Sequence, residues 1–298
     1  MLRRALNTLV TLQKWIRSAG YTGLLGLLTL AGCSSAPASP APTPTRPTAS
    51  GPTANGIRPL PPGGRVDYQL GAAYPVPPGT TIVARDSTEA PAPGVYSICY
   101  INGFQSQPGD TSTWLERHPD LVLKADGQPV LDPNWPDEIL FDTTSPERRD
   151  AILKILQPTL ERCAKSGFDA VEIDNLDSFT RSGGMISVDD NIALATAYAS
   201  RAHALGLAIG QKNAGEFSAR LHTTVGFDFA VVEECHRFDE CQLYRAVYGE
   251  SMIDIEYADD LRGTFAEACA DPGSPRAMVL RDRRLVADTG TGYVYQHC

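Results

Sequence analysis

Short apolar runs, each ending in an acid, an amide or a lysine and most followed by a helix-forming stretch, recur along residues 66–280. Their Val, Ile, Tyr and Phe content predicts strands over 66–70, 81–84, 95–101, 168–173, 207–210, 227–233, 252–255 and 276–280, with a brief extended segment at Phe141-Asp142. Helices are expected over 111–118, 146–165, 189–205, 216–222, 240–248 and 259–270. The clearest has Ser145 as its cap, Pro146 in its first position, Gly167 as its stop, and an apolar stripe of Ile152, Ile155, Leu156, Leu160 and Cys163. Strand and helix alternate about eight times, with irregular early units. That argues for an α/β fold, a (β/α)8 barrel, rather than an open sheet. The length of 298 residues suits one such domain. There is no GxGxxG or P-loop, so no nucleotide cofactor is expected.

The stretch from Gly167 to Ser178 concentrates the chemistry. A strand begins after a glycine and ends in Asp174, Asn175 and Asp177. Acids crowded together repel one another and lose hydration, a cost that packing alone seldom justifies, although Asp-Asn-x-Asp-Ser is also good turn chemistry. Polar residues end nearly every other strand: Asp86, Asn102, Lys212, Asn213, Glu233, Glu234, Glu256 and Tyr257. In a barrel these ends form the mouth that carries active sites. Clustered carboxylates suit either glycoside hydrolysis or magnesium-assisted phosphoryl chemistry. Lys212 beside the cluster would cancel charge that a metal needs. Trp114, Trp135, Phe179, Tyr257 and Tyr293 offer faces for sugar rings, though each serves equally well in local packing. No metal is expected. Arg281, Arg283 and Arg284 are only a partial phosphate site.

The amino terminus reads as an export signal. Arg3, Arg4, Lys14 and Arg17 precede a short apolar run, Tyr21 to Leu30, and then Leu30-Ala31-Gly32-Cys33, which looks like a bacterial lipobox. Residues 1–32 are expected to be a lipoprotein signal peptide. Cys33 would then be lipidated and tether an extracytoplasmic protein to the bacterial cell membrane. Residues 33–65, rich in Pro, Ala, Ser and Thr, read as a spacer, and 66–298 as the barrel. Losing residues 1–32 removes four positive charges and no negative ones, so the formal charge of −9 becomes −13. So acidic a domain excludes nucleic acid as a partner and suits a cationic or neutral one. The six other cysteines suggest disulfides in an exported domain. The expected pairs are Cys235–Cys241, closing a short loop beside Glu233, Cys269–Cys298, and Cys99–Cys163. No Cys/His spacing fits zinc.

Several stretches resemble glycoside hydrolase family 114, the endo-α-1,4-polygalactosaminidases. They are Asp67-Tyr68-Gln69-Leu70, Cys99-Tyr100-Ile101, Gly167 through Asp177, Gly206-Leu207 through Gln211-Lys212-Asn213, Phe227 through Cys235, Glu240-Cys241 and Ile255-Glu256-Tyr257. Trp135-Pro136-Asp137-Glu138 resembles the family's Trp-Pro-Gly-Glu loop, with Asp in place of Gly. The resemblance implies a TIM-type barrel. It also implies an endo-hydrolase of a galactosamine-rich polymer, whose free amines would make it cationic; a monomer without cofactor is expected. The family's catalytic Asp at the fourth strand end maps to Asp174, and its Glu at the sixth to Glu233. Asp86, Tyr100, Asn175, Asp177, Lys212, Glu234, Glu256 and Tyr257 are the expected substrate-binding residues.

Adjacent residues of a strand face opposite ways, so Glu233 and Glu234 cannot both enter the mouth. Glu233 is expected to be the nucleophile. Asp174, in its acid-rich corner, is expected to have a raised pKa and to act as acid/base. Their carboxyl groups would then stand roughly 5–5.5 Å apart, the retaining spacing. Two other readings use the same features: a non-catalytic polysaccharide-binding lipoprotein, and a metal-dependent phosphodiesterase on the same barrel.

Overall fold

The computed structural model describes residues 56–298. The signal peptide, Cys33 and most of the spacer lie outside the described residues. Eight parallel strands run in sequence order: β1 (Val66–Gln69), β2 (Ile82–Asp86), β3 (Tyr96–Asn102), β4 (Ala170–Asp174), β5 (Ala208–Lys212), β6 (Phe229–Glu233), β7 (Met252–Tyr257) and β8 (Met278–Arg281). Each pairs with the next, through registers such as Ile98 with Ala170 and Ala170 with Ala208. The sheet curls into a nearly closed barrel. A ninth strand that the sequence pattern did not suggest, β9 (Tyr295–His297), lies antiparallel on β8. Among the described residues no ladder joins β1 to β8. Instead the buried Arg281 reaches across to the Tyr68 carbonyl and to Asp67, and the Tyr295 hydroxyl donates to the Val66 carbonyl at 3.2 Å.

Helices cover the outside unevenly. After β3 come α1 (Thr111–Arg117) and α2 (Pro146–Ser166), and after β4 comes α3 (Val188–Ala204). Then α4 (Cys241–Tyr248) follows β6, and α5 (Phe265–Ala270) follows β7. The local signals work as chemistry predicts. Ser145 Oγ accepts from the Arg148 amide, and Gly167 takes the left-handed φ of 91° that ends α2. The helix expected over 259–270 is shorter, because Thr264 and Glu267 form a capping box that starts it late. The one expected over 216–222 is instead a series of 3-10, α and π turns between Gly215 and Val225. Among the described residues no helix follows β1 or β2. The packed domain reaches back past Val66: Ile57 and Leu60 are buried, and Arg58 pairs with Asp169 at 2.8 Å.

Strand parity divides the core in two. Val66, Ile82, Ile98, Ala170, Phe229 and Val279 fill the barrel interior. Cys99, Val171, Ile173 and Val232 face outward, toward Leu160 of α2 and Tyr198 of α3. Gly210 shares the inward parity of Ala208 and Lys212, and a Cβ there would stand 2.5 Å from the Phe229 ring. The three expected disulfides are all present, with Cα separations of 6.1 Å for Cys99–Cys163, 4.7 Å for Cys235–Cys241 and 5.4 Å for Cys269–Cys298. They fasten α2 to β3, the turn after β6 to α4, and the carboxyl terminus to α5. Among the described residues no helix is long and apolar enough to cross a membrane.

Candidate active site

On the same inward parity, the last residues of β4, β5 and β6 bring Asp174, Lys212 and Glu233 together. They meet at the floor of a cavity of about 420 Å3. The Lys212 ammonium is almost fully buried. It stands 3.1 Å from Glu172 Oε1, 3.3 Å from Asp174 Oδ1 and 3.5 Å from Glu233 Oε2. The Tyr68 hydroxyl is at 3.3 Å, and the rings of Tyr68 and Tyr100 flank the ammonium at 5.8 Å. Burial alone would drive a lysine toward neutrality. Here Asp174 and Glu233, then Tyr68 and Glu172, overcome that and hold its pKa well above the ordinary value. A permanent cation thus sits at the centre of the acids. The oxygens of Asp174 and Glu233 that face it are at most 6.8 Å apart, since 3.3 Å and 3.5 Å laid end to end reach no further.

Hydrogen bonds hold each carboxylate in place. Asp174 Oδ2 accepts from the Tyr100 hydroxyl at 2.5 Å, and Oδ1 accepts from the Asn175 amide at 2.7 Å. Burial pushes the Asp174 carboxyl up, but Lys212, Tyr100 and the Asn175 amide together push it below the ordinary carboxylate value. The raised pKa expected for this residue is therefore not what its surroundings produce, because a cation and two donors outweigh the acidic neighbours. Glu233 accepts from the Tyr257 hydroxyl at 2.5 Å and from Asn213 Nδ2 at 3.1 Å, while its own amide donates to Asn213 Oδ1 at 2.9 Å. Its side chain is 30 % exposed, against 16 % for Asp174. Burial raises the pKa of Tyr68, Tyr100 and Tyr257, so all three stay protonated as donors. The backbone turns sharply after each of these strands: Asn175, Asn213 and Glu234 take left-handed φ values of 63°, 48° and 60°. Asparagine tolerates that region, and both asparagines also use their amides in the site.

A second group lines one wall. Arg181 ties Asp132 at 2.7 Å to Asp177 at 3.0 Å and donates to Asn175 Oδ1 at 2.9 Å. Burial raises the Asp177 carboxyl despite Arg181 beside it. Glu138 Oε2 accepts from Asn102 Nδ2 at 2.9 Å and Gln105 Nε2 at 3.2 Å. Asp86, braced by Thr88 and Gln107, also lines the cavity.

Two comparisons carry the assignment further. The family model of glycoside-hydrolase family GH114 matches residues 46–298. The chain belongs to glycoside-hydrolase family GH114. Its fold is similar to that of Aspergillus fumigatus Ega3, solved in complex with galactosamine. The TM-score is 0.63 and the identity 22%, over 81% of this chain and 98% of that one. It is also similar to the glycoside hydrolase domain of PelA from Pseudomonas aeruginosa, seen in a variant form at TM-score 0.54 and 16% identity, over 77% and 97% of the two chains. A comparison with curated protein sequences finds no match.

In this GH114 barrel, Asp86, Tyr100, Asn175, Asp177, Lys212 and Tyr257 line the cavity together with Asp174 and Glu233. Glu234 and Glu256 do not. Glu234 turns away and pairs with Arg283 at 2.8 Å, and it is Arg283 that lines the cavity, its guanidinium 4.5 Å over the Tyr257 ring. Glu256 has the outward parity of β7, one residue out of step with Tyr257. It is fully buried and accepts the amides of His236 at 2.9 Å and Arg237 at 3.2 Å. Among the aromatics, Trp135 and Tyr257 reach the cavity. Trp114 packs on Phe141 at 4.0 Å, Phe179 meets Phe217 at 5.8 Å, and Tyr293 lies edge-on to Tyr74 at 5.7 Å. Sequence reasoning gave no site role to Tyr68, Glu172, Asp132 and Arg181, read Asn213 only as a polar strand end, and met Glu138 only in the Trp135-Pro136-Asp137-Glu138 loop. Glu172 carried a signal, since it is two residues before Asp174 and so shares its face.

Proposed function

We propose that this chain is an endo-acting hydrolase of α-1,4-linked, galactosamine-rich polysaccharide that works through Asp174 and Glu233. The observation that carries the reading is the pair of carboxylates on one buried ammonium at the cavity floor, 3.3 and 3.5 Å away. Family membership supports glycoside hydrolysis, and the galactosamine bound to Ega3 supports the sugar. A polymer with free amines is cationic and suits the acidic chain.

Asp174 is the nucleophile in this mechanism. Its depressed pKa keeps it ionised, and Lys212 and Tyr100 hold its oxygens in place for attack on the anomeric carbon. Glu233, the more exposed carboxyl, protonates the leaving oxygen and then takes a proton from the incoming water. This reverses the order expected from the sequence. Tyr257 and Asn213 hold Glu233, and Glu172 holds Lys212 from below. The facing oxygens, at most 6.8 Å apart, support a retaining reaction, whose carboxyl groups stand roughly 5–5.5 Å apart. Lipidation at Cys33 would make the enzyme an extracytoplasmic, membrane-anchored monomer with the spacer as its tether.

Digestion of a polysaccharide panel, acetylated and deacetylated, followed by mass spectrometry of the products tests the reading. Short galactosamine oligomers are the expected release. Binding without any release would favour a non-catalytic lipoprotein. In cells, Cys33→Ala is expected to move the protein from the membrane to the soluble fraction, and continued membrane association would remove the anchor.

A further inference from the structure

Resting on the substrate reading above, we propose that Glu138 is a specificity-determining residue that receives the ammonium group of a galactosamine unit, with the Trp135 ring as the platform beside it. Glu138 lines the cavity while only 7% of it is exposed. One of its carboxylate oxygens is engaged and the other is not. Oε2 accepts from Asn102 and Gln105, whereas Oε1 receives no hydrogen bond among the described residues and is not sealed from solvent. A carboxylate so far withdrawn from water, with one oxygen turned to a ligand cavity, is short of one donor. An ammonium supplies both that donor and a positive charge; an acetamide supplies neither the charge nor the same small head.

The surroundings make the position precise and keep it free of a competing cation. Trp135 is 53% exposed, yet its amide and that of Asn134 donate to Asp132 Oδ1 at 3.2 and 2.8 Å. Asp132 is held in turn by Arg181 and by Gln105, so platform and acid hang from one bracket. Arg181 is spent on Asp132 and Asp177 and makes no ion pair with Glu138. Such an aromatic face beside an acid suits a cationic sugar.

The groups that face Glu138 are Asp174 from β4, Asp132 from its own loop, Arg181 from the turn after β4, the Asn102 amide and Tyr100 from β3, and the Gln105 amide just after it. Burial first, against the pull of Asn102, and then Asp174 and Asp132 raise its carboxyl from 4.5 to about 7. Below that pH the empty site is neutral and favours no cation. Above it the site is anionic. Preference for deacetylated over N-acetylated substrate should therefore rise as pH increases through about 7, until the sugar amine itself loses its proton. Effects of pH on Asp174 and Glu233 act on both substrates and cancel in that ratio.

The test is kcat/KM for deacetylated and N-acetylated galactosamine oligomers across this range, in the wild type and in Glu138→Gln and Glu138→Asp. The expected result for Glu138→Gln is a fall in the deacetylated-to-acetylated ratio of about ten- to hundredfold, carried mainly by KM, with the pH dependence of the ratio flattened. Glu138→Asp should keep the pH dependence in weaker form. If Glu138→Gln does not fold, Glu138→Asp decides, since a carboxylate one methylene shorter should lower the deacetylated-to-acetylated ratio without abolishing it. Equal losses on both oligomers, or a wild-type ratio that is flat through neutrality, would overturn the proposal and leave the substrate reading standing. A wild type that cuts neither oligomer would overturn both.

Discussion

Two acid pairs on the barrel strands behave in opposite ways. Asp174 and Glu233 end β4 and β6 with inward parity, share the Lys212 ammonium and open onto a cavity. Asp254 and Glu256 lie on β7 with outward parity, and both are fully buried. They accept the amides of Cys235, His236 and Arg237 in the turn after β6. No ammonium sits between them. Burial, and then Glu256 across the pair, raises the Asp254 carboxyl, so the two share a proton instead of carrying two charges. Composition is the same in both places. What differs is the face of the strand, and with it the counter-charge and the access to solvent.

The largest separation between the pairs should appear on mutation. Asp174→Asn or Glu233→Gln is expected to lower kcat by about 10²–10⁴-fold with the melting temperature nearly unchanged. Circular dichroism and a reducing-sugar assay check this, and near-normal turnover in either variant would break the assignment. Lys212→Met comes next. Without the ammonium the Asp174 carboxyl loses its main stabiliser, so its pKa rises. The acidic limb of the kcat/KM profile should then move to higher pH, with a loss of about ten- to a hundredfold. An unmoved limb would show that Lys212 does not set the charge of Asp174.

Glu256→Gln should have the smallest effect on turnover, within about threefold, because Glu256 acts only through the turn after β6. Its mark should be on stability. Both carboxyls of that pair are raised above their ordinary values of 3.8 and 4.5, so the folded chain holds a proton that the unfolded chain releases. That contribution is fully present below the ordinary carboxyl range and is lost as pH rises through the folded pKa values. Melting temperatures measured against pH should show the wild type losing ground to Glu256→Gln as pH increases. Parallel curves would mean that the pair does not share a proton.

Much of this was legible in the sequence, for identifiable reasons. All eight barrel strands begin and end within two residues of the expected limits, because β-branched runs bounded by glycine or acid leave little choice. Asp174, Glu233 and Lys212 could be placed because each ends a strand. Glu256 was misplaced because a strand end says that a residue is near the mouth but not which face it takes. The parity had to come from Tyr257, which faces inward. Glu138 was met only through the resemblance of the Trp135-Pro136-Asp137-Glu138 loop, and Arg181 carried no local signal. They lie on the loop before α2 and in the turn after β4, and only the tertiary fold brings them to the cavity. The low pKa of Asp174 was hidden for the same reason, since Tyr100 and Lys212 are 74 and 38 residues away in sequence. The ninth strand was missed because three residues carry too little period to read.

The account turns on which carboxylate attacks. Azide rescue measures this directly, because it replaces whichever role a truncated side chain has lost. With Glu233→Ala and added azide, the account predicts restored turnover and a galactosaminyl azide of retained configuration, formed from an intermediate on Asp174. The same experiment with Asp174→Ala should give an azide of inverted configuration. An inverted azide from Glu233→Ala would contradict the account and return the nucleophile to Glu233.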